Sequence, residues 1–185
     1  MLKSAKYIFD NIIISDEVNS TKNYAKQAQV GVDMSVRNIY KIDSPGFVAT
    51  DKTYVPRYVK MESRHLNYNE HEFTGWFLHP GTYICELNEG TQFGPNDTGY
   101  IIQRSSLNRS GVTLLACVFD PGFTTRENDV INTVSVRIIV ENQNGFYLEQ
   151  NARVGQMIVF ENESCELYNG QWNGGRTTSK LVDEE

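Results

Sequence analysis

Apolar and polar positions alternate along most of the chain in short runs. Residues 7–14, 32–42, 82–87, 100–103, 113–119, 133–141 and 155–161 are rich in Val, Ile, Tyr, Phe and Thr, with turn formers between them. Each run predicts a strand, because β-branched and aromatic side chains suit a half-buried pleated surface. Helical spacing is confined to residues 19–29, where Asn19 and Ser20 can cap the first turn, and to a turn or two over 105–110. Many short strands with few helices predict an all-β fold, a sandwich or distorted barrel with one or two short helices. No period of 20 to 50 residues repeats along the chain, which removes solenoids and propellers.

A chain of 185 residues suits one domain, here with residues 1–30 as an N-terminal strand–helix extension and 169–185 as a glycine-containing tail. Its 17 Lys and Arg against 23 Asp and Glu give a net charge of -6, which argues against a nucleic-acid partner. A small anion remains compatible, since a few local arginines can serve one phosphate chain. With 39% hydrophobic residues and a mean hydropathy of -0.44, the chain reads as an ordered domain without a membrane span. Residues 1–10 carry Lys3 and Lys6 and no apolar run of signal-peptide length, so a cytoplasmic location is expected. Cys85, Cys117 and Cys165 form no CxxC pair and are expected as reduced, mostly buried thiols. His65, His71 and His79 lack the HxE and PCxxC pattern that a zinc deaminase needs.

The stretch from Arg104 to Val112, RSSLNRSGV, packs two guanidinium groups and three hydroxyls into seven residues directly after an apolar run. If a helical turn starts at Ser105, its free N–H groups point where those side chains point, which suits a polyphosphate. An ordinary capped helix with a solvated face has the same composition. Phe119-Asp120-Pro121-Gly122-Phe123 follows the next apolar run. A carboxylate at a strand end can orient and deprotonate a water, and an aromatic ring there can lie against a sugar, although Asp-Pro-Gly is also a common turn. Near the C-terminus, Gly170, Gly174 and Gly175 precede Arg176 and three hydroxyls, a composition shared by anion-wrapping loops and mobile tails. Residues 44–79, with Tyr54, Tyr58, Tyr68, His65 and His71, read as strands and loops of the same barrel or as a contact surface.

In their order, these segments resemble the superfamily of homotrimeric dUTPases and dCTP deaminases. Val32-Asp33-Met34 is similar to the first motif, Arg104 to Gly111 to the RSSLxRxG second motif, and Phe119 to Phe123 to the IDPG(F/Y) third. Arg153-Val154-Gly155-Gln156-Met157 resembles the fourth and 170–179 a loose fifth. The resemblance implies a barrel-like fold in a threefold trimer with each site at a subunit boundary. It further implies that Arg104, Ser105, Ser106 and Arg109 hold a triphosphate with Mg²⁺, that Asp120 positions the attacking water beneath the deoxyribose, and that Phe123 packs on the sugar. Gln156 would help hold phosphate, the tail with Gln171, Arg176 and Ser179 would close over the nucleotide, and Asp33 would be structural or linked to the metal through water.

Two reactions fit that resemblance: hydrolysis of dUTP to dUMP and pyrophosphate, and deamination of dCTP. Deaminases of the family need a Glu on the strand after the third motif, and matching Asn142 to the Asn that ends that strand puts Ile139 there. Glu127 and Glu141 lie close enough that a slipped match would restore a Glu. Thr124-Thr125 departs from the family pair that ends in Gly, and the tail is nearer the deaminase GKYQG. The balance favours dUTP hydrolysis, with dCTP deamination second and an inactive nucleotide-binding or structural trimer of the same fold third.

Overall fold

The structure, a computed structural model, describes residues 1–14, 25–128, 130–163, 166–170 and 173–174. The longest strand, β1 (Val32–Ile42), follows a tight turn in which the Ala28 amide donates to Gly31 O at 2.9 Å. Its first half is buried throughout, as a strand covered on both sides must be. It is joined by β2 (Tyr58–Met61), β3 (Arg64–Tyr68), β4 (His71–Leu78), β5 (Gly81–Leu87), β6 (Asp97–Gln103), β7 (Val112–Leu115), β8 (Ser135–Val140), β9 (Phe146–Glu149) and β10 (Arg153–Glu161).

The main sheet runs β6-β10-β1-β5-β8-β7, with β2 and the pair Lys26–Gln27 also on β1. Its two edges meet where the Leu114 amide donates to Gln103 Oε1 at 3.0 Å, so the sheet curls into a nearly closed barrel. Met34, Ile39, Leu87, Ile138, Met157 and Val159 fill the interior. Register shifts at Val36/Asn38 in β1 and Arg153/Gly155 in β10 bend the two strands where they cross the barrel.

Three expectations change. Residues 7–14 do not form a strand: Ser4 Oγ accepts from the Tyr7 amide at 3.2 Å and caps a helical segment that runs through Ile12. Ile8 and Ile12 lie one turn apart on the buried face, so the apolar run serves a helix, and only Ile13–Ile14 extends, pairing with Gly90–Thr91. Of the helix expected over 19–29, residues 19–24 lie outside the described residues and Lys26–Gln27 is a strand paired with Val32 and Asp33. Residues 64–78 leave the barrel for a separate sheet ordered β9-β4-β3, while 58–61 stay in it. Asn69 and Glu70 both have positive φ in the two-residue β3–β4 turn, the mirror-image turn that matches strand twist. The Trp76 indole N–H donates to Met61 O at 2.9 Å and ties this sheet to the barrel.

Ile138→Ala is expected to cost about 2–5 kcal/mol in urea unfolding, and Val48→Ala, at an exposed position, less than about 0.5 kcal/mol.

Candidate functional site

Asp33 occupies a position where β1 is buried on both sides, and its side chain is only 6% exposed. A carboxylate there needs partners, since an unpaired buried charge is costly. Gln156, directly across the ladder on β10, donates Nε2–H to Asp33 Oδ1 at 3.1 Å. Arg153 Nη1 reaches Oδ2 at 3.4 Å, and Arg104 Nε lies 3.5 Å from the same oxygen. Arg104 Nη1 also donates to Arg153 O at 3.5 Å. Two guanidinium groups around one carboxylate leave a net positive charge and spare N–H donors. These residues line a polar cavity of about 420 Å³ together with Ser105.

Ser105 opens the short helix Ser105–Arg109, and Arg104 before it contributes no side-chain cap. Gly111, at φ +69°, ends the turn, with its carbonyl accepting from the Glu141 and Asn142 amides at 2.9 and 3.1 Å. The helix is thereby fixed to the end of β8. Ser106 faces a different cavity of about 290 Å³, between the helix and the aromatic outer sheet, which Arg153 also lines. Arg109 is exposed and lines neither cavity.

Asp120 and Phe123 line a third cavity, of about 700 Å³. Pro121 and Gly122, the latter at φ +81°, form a turn closed by the Phe123 amide donating to Asp120 O at 3.0 Å. Phe119 stacks on Phe93 at 5.5 Å and sits 5.5 Å from Phe123, giving the turn a rigid aromatic base. Tyr168 packs its ring 5.8 Å from Phe123, and its amide donates to Pro121 O at 2.8 Å. Asn173 and Gly174 bind the same segment, with Asn173 Oδ1 accepting from the Thr124 amide at 3.1 Å and the Gly174 amide donating to Thr124 O at 2.8 Å. Gln171, Arg176 and Ser179 lie outside the described residues. Thr125, where the family pattern ends in Gly, is buried and exchanges hydrogen bonds with the Thr91 backbone. Cys85 is buried as expected, and burial followed by the charges of Glu86 and Glu89 pushes its thiol pKa far up. Cys117 is exposed in the Asp120 cavity, and Cys165 lies outside the described residues.

Within one chain the Asp33–Arg104 cavity and the Asp120 cavity have no lining residue in common. Residues 4–162 match the dCTP deaminase-like family. The chain belongs to the dCTP deaminase-like family. It is 29% identical over 89% of its length to a protein of Aeropyrum pernix named "Probable deoxyuridine 5'-triphosphate nucleotidohydrolase", covering 94% of that protein. A protein of the same name from Methanococcoides burtonii is 34% identical over 77% of this chain and 78% of its own. The "Deoxyuridine 5'-triphosphate nucleotidohydrolase" of Methanocaldococcus jannaschii is 26% identical over 84% of this chain and 96% of its own. Among solved structures, the 2'-deoxycytidine 5'-triphosphate deaminase of Agrobacterium tumefaciens shares the fold at a TM-score of 0.53 and 14% identity. That match covers 85% of this chain and 46% of the deaminase.

Against the family pattern, the structure brings Asp33, Arg104, Ser105 and Gln156 together, joins Asp120 to Phe123, and sets Ser106 and Arg109 apart from both groups. Arg153 belongs to the first group and was missed as a site residue, because alternation puts residues three apart on opposite faces of a strand. The bulge at Arg153/Gly155 restores them to one side. Glu89 was also missed. It is fully buried and accepts from the Ser35 amide at 3.0 Å and the Ser35 hydroxyl at 2.8 Å, two residues beyond Asp33.

Burial pushes the Glu89 carboxyl up to about 7, against the opposing pull of the Ser35 hydrogen bonds. Between the ordinary carboxylate pKa and 7 the native chain therefore binds more proton than the unfolded chain. The resulting stability is complete below the unfolded pKa and is lost as pH rises through 7. Glu89→Gln keeps the Ser35 contacts without a charge. Urea unfolding at pH 5 and pH 8 is expected to show the unsubstituted chain losing about 2 to 3 kcal/mol more than Glu89→Gln over that interval.

Proposed function

We propose that the chain hydrolyses dUTP to dUMP and pyrophosphate. The observation that carries this reading over deamination is the composition of the Asp120 cavity: among the described residues, Asp120 is its one carboxylate and no glutamate lines it. Ile139 is half-buried on β8 opposite Thr113, and Glu141 accepts from the Thr113 hydroxyl at 3.0 Å. Glu127, in the hairpin Arg126–Glu127/Val130–Ile131, does not line the cavity either. An aspartate without a second proton carrier suits the positioning of water for attack on phosphorus better than proton transfer to and from a base ring.

In this mechanism Asp120 accepts a hydrogen bond from a water and holds it in line with the α-phosphorus. The new P–O bond forms from that water as the α–β phosphoanhydride breaks; the water's proton passes to the Asp120 carboxylate and from there to solvent, and pyrophosphate leaves with the bridging oxygen. Phe123 packs on the deoxyribose. Arg104, Arg153, Ser105 and Gln156 supply donors to the phosphate chain, and Asp33 keeps the two guanidinium groups aimed.

Mg²⁺ fits as an ion carried by the substrate. The described residues hold no cluster of three His, Cys, Asp or Glu suited to a metal, and the Asp33 carboxylate is already engaged by three side chains. Phosphate oxygens and waters are the donors this ion prefers, and it would neutralise charge on the triphosphate.

The separation of the two cavities supports a site shared between subunits of a homotrimer, in which the phosphate-binding group of one chain faces the Asp120 turn of the next. A cytoplasmic location belongs to the same reading. No described helix is long and apolar enough to cross a membrane.

Asp120→Asn is expected to retain dUTP binding by calorimetry while kcat for pyrophosphate release falls about 10²- to 10⁴-fold. Full turnover by that variant, or ammonia from dCTP without pyrophosphate from dUTP, refutes the assignment. Arg104→Ala chains, themselves weakly active, refolded with Asp120→Asn chains are expected to recover up to about one quarter of normal activity, because random mixing rebuilds some intact shared sites. Sites contained within single chains would give no recovery.

A further inference from the structure

Strand β8 alternates exposed and buried positions from Ser135 onward, so Ser135, Arg137 and Ile139 share its outer face. Arg137 lies across the ladder from Leu115 on one side and Ile84 on the other, and all three line the Asp120 cavity. Among the described residues, Arg137 and Asp120 are the only Asp, Glu, Lys or Arg side chains lining it. Arg137 is exposed, and among the described residues no carboxylate pairs with it. A lone guanidinium in a cavity that Ile84, Leu115, Ala116 and Val118 also line points to a ligand with flat apolar faces and an acceptor on its edge.

We infer that Arg137 reads the pyrimidine edge and selects uracil over cytosine. This rests on the proposed dUTP hydrolysis and names the residue that sets its base preference. Uracil presents a carbonyl oxygen at C4, where cytosine presents an amino group. Arginine has five N–H donors and no acceptor, so it bonds the first and opposes the second. A hydrogen bond to a charged group of this kind is strong enough to separate two substrates ten- to hundredfold. The role is one of specificity, since Asp120 and the phosphate-binding residues are unaffected by which group sits at C4.

The test uses the full chain with Arg137→Met and Arg137→Lys. Steady-state pyrophosphate release from dUTP and dCTP is measured alongside calorimetric binding of deoxyuridine and deoxycytidine. Arg137→Met is expected to lower kcat/KM for dUTP about ten- to hundredfold through KM, with kcat and the dCTP value little changed. Deoxyuridine binding should weaken by a similar factor and deoxycytidine binding should not, while Arg137→Lys, which keeps a cationic donor, should fall between. An unchanged dUTP-to-dCTP ratio overturns the inference. So does a loss confined to the triphosphate with deoxyuridine binding intact, which would make Arg137 a phosphate contact. If the unsubstituted chain hydrolyses neither nucleotide, the proposed activity fails; nucleoside binding still decides the role of Arg137, and equal binding of the two nucleosides refutes it. Should Arg137→Met not fold, a Lys variant with unaltered discrimination refutes it equally.

Discussion

One buried carboxylate organises the polar side of this barrel. Asp33 sits where β1 is covered on both sides, so its charge must be met by protein groups, and it draws Gln156, Arg153 and Arg104 to itself from two other segments of the chain. The pairing is mutual. Arg104 closes the gap between β6 and the short helix, and without Asp33 its guanidinium and that of Arg153 would repel one another across the cavity mouth. A net positive pocket results in a chain whose overall charge is -6. Local geometry, not composition, makes the pocket positive.

The second group obeys a different constraint. The Pro121–Gly122 turn rests on the stacked rings of Phe93 and Phe119 with the Phe123 ring tilted against them, and Tyr168 and Asn173 pack back onto it. Aromatic packing makes the turn rigid, so the Asp120 carboxylate is held at the edge of a mainly apolar cavity. A nucleotide needs both environments, a polar one for phosphates and an apolar one for sugar and base. Each is built separately in a single chain, and an assembly that sets one against the other completes the proposed site. Glu89 behind Ser35 and Gln156 beside Asp33 support the first environment, whereas Arg137 and Asp120 are, among the described residues, the two charges of the second.

Several features were legible from residue order. The strands at 32–42, 82–87 and 135–140 follow from alternation and β-branching, and their observed bounds fall within a residue or two of the pattern. The Arg104–Gly111 stretch and the Asp120–Phe123 turn were also visible, because both are local: a short helix ended by Gly111 and a turn closed by Gly122 need only neighbouring residues. The N-terminal segment was misread because Ile8, Ile12, Ile13 and Ile14 satisfy both periods, and the Ser4 cap decided for a helix. The placement of β3 and β4 outside the barrel was not legible, because β4 pairs along its edge with β9, some seventy residues further along the chain, and β3 joins that sheet through β4.

The amino-acid sequence by itself therefore determined the local pieces: an all-β chain, a phosphate-suited turn, a carboxylate on a tight bend and their order. Tertiary structure alone decided which distant groups meet. Arg153 joins Asp33 because a bulge in β10 breaks the two-residue period, Glu89 reaches Ser35 across more than fifty residues, and Arg137 enters the Asp120 cavity through the pairing of β8 with β5 and β7. Backbone preferences act over a few neighbouring positions and can be read in sequence. Charge pairing and burial act through space, and space is set only when the sheet has closed.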